Sequence, residues 1–338
     1  MKIVVLCGGT STERDVSLTT SEKVGNALKG KGHDVLLIDV FFGAEEAEFG
    51  QDQDISKAAA EYRKMTALVP DELKKDRPFF GKNVISICSQ ADIVFMGLHG
   101  ANGEDGRVQA AFDLLGIKYT GSGHLSSAIA MSKHHTKLVL SKYIRMPEGC
   151  VLTREDPDAD RVPAPCVIKP SNGGSSVGVY IIDDDRFFDS ALSECLEYDD
   201  TVIVEEFING RELTQGVLNG TALPPVEICP VDGFYDYTKK YNGETVEICP
   251  ADIPEDVLAE MSRCSALAGE LIGLSVYYRV DYLLDEEGKL YCLEVNSLPG
   301  LTGTSLVPQE AAAIGIGYPE LCEQIIEYSL KKYEQVKK

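Results

Sequence analysis

The sequence predicts two fold classes in succession, an α/β domain built on a parallel sheet and then an α+β region. Three observations predict this. The chain opens strand–helix–strand, another wholly apolar strand follows near residue 93, and after residue 150 the pattern turns to short strands and hairpins. At 338 residues, the chain is long enough for two or three domains of roughly 100–200 residues each.

Lys2 to Leu6 reads as a fully buried strand, followed by a polar Gly-Gly-Thr-Ser turn. A helix then runs to about Lys29, with Leu18, Val24, Ala27 and Leu28 on one side, and Val35–Val40 forms the next strand. Residues 41–90 are polar and weakly periodic and carry no motif. Ile93–Leu98 is a buried strand ending in His99-Gly100, a helix spans about Val108 to Leu115, and the first domain closes near Thr120–Gly123. A helix carrying Lys133, His134, His135 and Lys137 opens the second region. Its strands are predicted at Cys166–Lys169, Val179–Ile182, Thr201–Glu205 and Leu213–Leu218. Val-Glu-Ile-Cys-Pro occurs at 226–230 and again at 246–250, which predicts two strands carrying a long polar, Tyr-rich loop.

Charge and composition exclude several function classes. The chain holds 54 carboxylates against 32 Lys+Arg, a net charge of −22, with no basic cluster to bind nucleic acid. No apolar run approaches the roughly 20 residues that span a bilayer, and the opening strand lacks the basic start of a signal peptide. The ten cysteines form no C-x-x-C pair and lie away from the five histidines, which predicts reduced cytosolic thiols and no zinc site. Gly8-Gly9-Thr10 makes no G-x-G-x-x-G, and Gly32 stands where a phosphate-binding G-x-x-x-x-G-K-[ST] loop needs Ser or Thr. Gly174-Ser175-Ser176-Val177-Gly178 fits a hydrolase elbow, but a strand follows it and no histidine occurs after His135.

The strongest chemical signal is a hairpin, Val276–Leu284 returning as Leu290–Val295. Side chains alternate faces along a strand, so Arg279 and Asp281 share one face, as do Glu294 and Asn296. A register pairing Asp281 or Arg279 with Glu294 gathers all four, with Val280, Tyr282, Leu284, Leu293 and Val295 opposite. Hard oxygen donors on one face suit Mg²⁺ bridging to phosphates; the alternative is a solvated face with a chance ion pair. The Gly300-containing loop that follows is placed to hold a small substrate. A second signal, Lys169 to Gly178, offers successive N–H groups and serine hydroxyls around an anion, or else a plain hairpin tip. A third, Phe234 to Tyr241, puts Lys240 on a loop able to reach a terminal phosphate and exclude water, or else is a surface hairpin.

Taken in order, these motifs resemble the D-alanine–D-alanine ligase family of ATP-grasp enzymes along nearly the whole chain. Gly8 to Ser17 resembles the family's opening; Leu98-His99-Gly100 with Gly103-Glu104-Asp105-Gly106 and Tyr119–Ser122 resembles its second signature. The Ser175-Ser176 loop, the Tyr-rich loop, Arg279-Val280-Asp281, Glu294-Val295-Asn296 and Pro299 through Pro308 follow in family order. The resemblance implies a Rossmann-like parallel-sheet domain over 1–122 and an ATP-grasp region over 123–338, divided near residue 212.

It also implies a reaction. ATP phosphorylates the carboxylate of one D-alanine, and the amine of a second displaces phosphate, supplying a peptidoglycan precursor. By this resemblance Glu13, with His99 nearby, would hold the first ammonium. Arg279 and the Gly300 N–H would steady the acyl phosphate and the oxyanion. Ser175 and Tyr241 would join Glu13 in locking the loop, and Ser305 and Leu306 would line the second-substrate pocket. Lys133, Lys169, Ser176 and Lys240 would contact the nucleotide; Glu205, Phe207 and Glu212 would hold adenine and ribose. Asp281, Glu294 and Asn296 would carry two Mg²⁺, with Mn²⁺ able to substitute. The family resemblance further implies a cytoplasmic homodimer with small-molecule substrates, no nucleic acid and no membrane. The chain departs from the pattern in having Ser132 where Asp is frequent and Ser297 where Thr is common. D-Ala–D-Ser and D-Ala–D-lactate ligation, or an ATP-binding regulator without catalysis, are the alternatives; Tyr241 and Leu306 favour an amine acceptor and alanine.

Overall fold

The computed structural model describes residues 1–45, 47–66, 77–156, 161–174, 177–230 and 245–335. Its first layer is a parallel sheet ordered β2-β1-β3, from Asp34–Asp39, Lys2–Cys7 and Ile93–Met96. Ile3 to Cys7 are wholly buried, as expected for a strand covered on both faces. A bridge between Val94 and Tyr119 continues the sheet beyond β3. The helix Arg14–Gly30 packs its Leu18, Val24 and Leu28 into this core. Strand β3 stops at Met96, two residues earlier than its apolar run suggests. There the Gly97 carbonyl accepts from the Ser17 and Ser21 hydroxyls, at 2.6 and 3.2 Å.

The motif-poor stretch after residue 40 contributes the helices Ile55–Thr66 and Val84–Cys88. It also covers a buried ion pair, Arg14 Nη2 to Asp39 Oδ2 at 2.5 Å, that anchors the turn before Glu13. Gly8, at φ +77°, leaves room for that pair: a Cβ there would lie 2.1 Å from Asp39 Oδ2. Gly8→Ala is therefore expected to destabilise the chain by about 1–3 kcal/mol through overpacking and strain, read as a lowered melting temperature.

Two antiparallel sheets follow. One is ordered β4-β7-β5-β6, from Gly149–Thr153, Thr201–Glu206, Cys166–Pro170 and Tyr180–Ile182. With the helix Phe188–Cys195 it forms its own small core around Ile168, Phe188 and Val204. The other is ordered β11-β10-β8-β12-β13, from Thr245–Ile248, Val226–Pro230, Gly210–Leu218, Tyr277–Asp285 and Leu290–Asn296. The short β9, Thr221–Ala222, pairs with β8. The two copies of Val-Glu-Ile-Cys-Pro do lie on adjacent strands, with Glu227 opposite Ile248. The helix Glu255–Ile272 and residues of His124–Met131 and Lys133–Leu140 cover one face of this sheet. Residues from β12, the helix Leu306–Ala313 and the helix Tyr318–Gln335 pack into the core of the first sheet. No described helix is long and apolar enough to cross a membrane.

Candidate active site

The face of β8-β12-β13 opposite the Glu255–Ile272 helix carries the predicted constellation. Asp281 pairs with Glu294, and Arg279 with Asn296, so the four side chains gather as alternation requires. One feature departs from simple alternation. The ladder shifts by a residue between Asp281 and Tyr282, so Cys292 pairs with Tyr282 and enters the core. Leu293, expected on the apolar face, lines the site cavity instead, because a bulge turns the strand at that residue.

Arg279 grips Asp281 through two parallel bonds, Nε to Oδ1 and Nη2 to Oδ2, each 2.8 Å. Thr214 of β8 donates to Asp281 Oδ1 at 2.5 Å. Burial works against the Arg279 charge, but Asp281 and then Glu294 outweigh it and hold the guanidinium firmly protonated. Lys133 reaches across from its helix to Glu294 at 3.1 Å and donates to the Gly173 carbonyl at 2.7 Å. Ser132, where the sequence departs from the family pattern, caps that helix and meets the Ser171 hydroxyl at 3.1 Å.

A metal fits this donor set in a limited way. Among the described residues no three His, Cys, Asp or Glu side chains converge as a metal cluster. Two carboxylates and one amide, Asp281, Glu294 and Asn296, share the face. Mg²⁺ commonly takes only one or two protein carboxylates and completes its shell with phosphate and water. Arg279 and Thr214 already take both lone pairs of Asp281 Oδ1, so a metal would reach this carboxylate through Oδ2 or by displacing one of those donors.

A cavity of about 410 Å³ runs from this face to the four-stranded sheet. Glu13, His99, Lys133, Lys169, Glu205, Phe207 and Glu212 all line it. So do Arg279, Asp281, Glu294, Asn296, Gly300 and Leu306. Ser305 sits just behind the wall, its Oγ accepting from the Thr302 N–H at 2.9 Å. Ser175, Ser176, Lys240 and Tyr241 lie outside the described residues.

Part of the lining is apolar, with Val167, Ile181, Phe207, Ile228, Leu283 and Leu293. At its edge Glu205 is buried between two lysines, Lys169 at 2.5 Å and Lys137 at 2.7 Å. Burial pushes its carboxyl up, but Lys169 and Lys137 together bring it below the usual glutamate range, so it stays ionised. Lys137 was legible only as a helix charge. Lys137→Ala is expected to lower stability by about 1–3 kcal/mol, since it strips one partner from a buried carboxylate and leaves Lys169 as its remaining cation. Thermal melting of the variant beside the unaltered chain checks this.

Glu13 opens the first helix. Its carboxylate lies between Gly100 and Gly174: a Cβ on Gly100 would come 2.9 Å from Oε2, and one on Gly174 would come 3.6 Å from Oε1. His99 is nearly buried, with Nε2 to Thr20 Oγ1 at 3.1 Å and Nδ1 to Glu104 Oε1 at 3.2 Å. Glu104 also lines the cavity and was not assigned from sequence, although it stands within the Gly103–Gly106 signature. Three cations, Lys133, Lys169 and Arg279, thus face a cavity in a strongly acidic chain. Each already has a carboxylate partner on the same wall, Glu294, Glu205 and Asp281, so a polyanion here would draw the lysines off those partners or bring a divalent cation with it.

The chain is similar to known proteins over nearly its whole length. Residues 2–122 match the family pattern described as D-ala D-ala ligase N-terminus, and residues 153–327 match its D-ala D-ala ligase C-terminus counterpart. The D-alanine–D-alanine ligase of Pediococcus pentosaceus is 43% identical, with all of both chains covered. That of Lacticaseibacillus casei is 40% identical over 98% of this chain and 97% of its own. Among solved structures, the Bacillus anthracis D-alanine–D-alanine ligase complexed with ATP aligns with a TM-score of 0.76 at 29% identity, covering 99% of each chain. The VanG D-Ala:D-Ser ligase of Enterococcus faecalis aligns with a TM-score of 0.79 at 28% identity, covering 97% of this chain and 99% of that one.

Proposed function

The chain belongs to the D-alanine–D-alanine ligase family, and from that membership we propose that it joins two D-alanine molecules at the expense of ATP, through an acyl phosphate, to supply peptidoglycan precursor synthesis. The observation that carries this is the meeting in one cavity of lysines and an apolar lining with the Arg279–Asp281–Glu294–Asn296 face and the Gly300–Leu306 loop.

Lys133 and Lys169 take the phosphates of ATP, and Glu205 and Glu212 the adenine and ribose beside Phe207. Glu13, with His99 held by Glu104 and Thr20, orients the ammonium of the first D-alanine so that its carboxylate meets the γ-phosphate. Arg279, preset by its two bonds to Asp281, balances the charge that gathers on the acyl phosphate and then on the tetrahedral oxygen, aided by the Gly300 N–H. Ser305 and Leu306 seat the second D-alanine, whose amine attacks the acyl carbon as phosphate leaves. Asp281, Glu294 and Asn296 would hold Mg²⁺, which when bound offsets the repulsion between phosphate and carboxylate oxygens. Ser175, Ser176, Lys240 and Tyr241 complete the loop contacts in this reading. We place the enzyme in the cytoplasm as a homodimer, which light scattering of the purified chain tests.

The resemblance to a D-Ala:D-Ser ligase makes acceptor choice the open question, and the apolar Leu306 at the cavity wall favours alanine. The test is ATP- and Mg²⁺-dependent phosphate release with D-alanine alone, then with D-serine or D-lactate added, with products identified by mass. D-Ala–D-Ala as the main product supports the reading. A mixed product moves the acceptor assignment, and no turnover with any D-amino acid overturns the ligase.

A further inference from the structure

We propose that Glu310 is a positioning residue for the second-substrate pocket: it pins the helix Leu306–Ala313 to Gly216 of β8 and so sets where Ser305 and Leu306 meet the reacting centre. This rests on the reading of Ser305 and Leu306 given above.

Glu310 has no exposed surface. Both of its carboxylate oxygens accept from the Gly216 N–H, at 3.0 and 2.8 Å. Gly216 stands directly opposite Arg279 in the ladder, so the pin is one strand away from the guanidinium. The two residues are matched in shape. A Cβ on Gly216 would lie 2.1 Å from Glu310 Oε2, so only glycine admits the carboxylate this close to the strand. Leu306 and Glu310 are four residues apart on the same helix and therefore share a face. Leu306 lines the cavity while Glu310, one turn on, meets the strand. Fixing one fixes the rotation that aims the other.

The surrounding charges make this an expensive residue to keep. Burial pushes the Glu310 carboxyl up to about 8; the Gly216 N–H and Arg279 counter it in part, and Asp281 adds to it. The Cys249 thiol, itself raised by burial, lies within the field of Glu310. The next three positions of this helix are alanine, which would bury at no such cost. A carboxyl that holds the Gly216 N–H and orients the helix explains its presence.

The test is steady-state kinetics of the full chain, resolving from D-alanine saturation the KM of each substrate position, together with the KM for ATP. Glu310→Ala is expected to raise the second-position KM by about tenfold, a smaller effect than the roughly 10²-fold that a full ångström of misplacement can cost. The first-position and ATP values should stay within about twofold. Glu310→Gln, whose amide oxygen still accepts from Gly216, is expected to restore the second-position KM. Gly216→Ala, which drives the carboxylate out, should reproduce the Glu310→Ala effect, and the double variant G216A/E310A should be no worse than E310A alone. If E310A fails to fold, G216A against E310Q makes the same comparison. Equal rises in all three KM values, strictly additive effects, or E310Q behaving as E310A would overturn the proposal. Absence of D-alanine turnover in the unaltered chain would instead fail the ligase reading beneath it.

Discussion

Replacing Arg279 by methionine is expected to lower turnover by about 10²–10³-fold while leaving the KM for ATP within a few fold, as for loss of a fixed donor at a developing oxyanion. The expectation follows from geometry. Arg279 is preset by two 2.8 Å bonds to Asp281 and is held charged by Asp281 and Glu294 against the pull of burial. Little reorganisation is left for the moment of reaction. Methionine matches its length but strips Asp281 of its guanidinium partner and leaves Lys133 on Glu294 as the cation beside the two carboxylates. Arg279→Lys keeps the charge and loses the planar fork, so it should recover only a small part of the rate. Phosphate release under saturating D-alanine and ATP measures both variants. Turnover within about threefold of the unaltered chain would remove Arg279 from the centre of the mechanism.

The second large effect is on stability and depends on pH. Glu310 has an ordinary value of 4.5 and is raised to about 8 by burial, with the Gly216 N–H and Arg279 opposing and Asp281 reinforcing the shift. The native state therefore holds a proton on this carboxyl where the unfolded chain has released it. The stability that goes with the neutral group is fully present below about pH 4.5 and is lost as the pH rises to about 8. At about 1.4 kcal/mol per pH unit across that window, the upper bound of the loss is about 5 kcal/mol. Glu310→Gln cannot ionise, so its melting temperature should approach that of the unaltered chain at pH 5 and exceed it increasingly toward pH 9. Part of the gain is offset by the buried amide N–H groups. Paired melting curves of the metal- and nucleotide-free proteins at pH 5, 7 and 9 decide it. A difference that does not grow with pH would show that Glu310 is not the group that titrates.

These two residues mark how far sequence reaches. Arg279, Asp281, Glu294 and Asn296 were legible because a strand alternates with period two and their polar face interrupts an apolar hairpin. Lys169 and Gly300 were legible as members of loops rich in small and polar residues. Glu13, His99, Glu205 and Glu212 carried no signal of their own and were assigned only through the order of motifs along the chain. Glu310 carried none either: in a helix turn of Gln and Ala it reads as a solvated charge, and only the approach of Gly216 makes it a buried one.

By itself, the sequence determined the parallel opening sheet, the antiparallel sheets after residue 150, the polar face of the β12–β13 hairpin and membership of the ligase family. These depend on local periodicity, strand and turn chemistry and the order of motifs, all of which are written along the chain. Tertiary structure alone decided the one-residue shift that sends Leu293 into the cavity and Cys292 into the core. It also placed Glu205 between Lys137 and Lys169 and brought Lys133 to Glu294. The closing of Glu310 onto Gly216 belongs with these. Each joins residues distant in sequence or turns on a single bulge, and its energy comes from burial and charge pairing that exist only after the layers have packed.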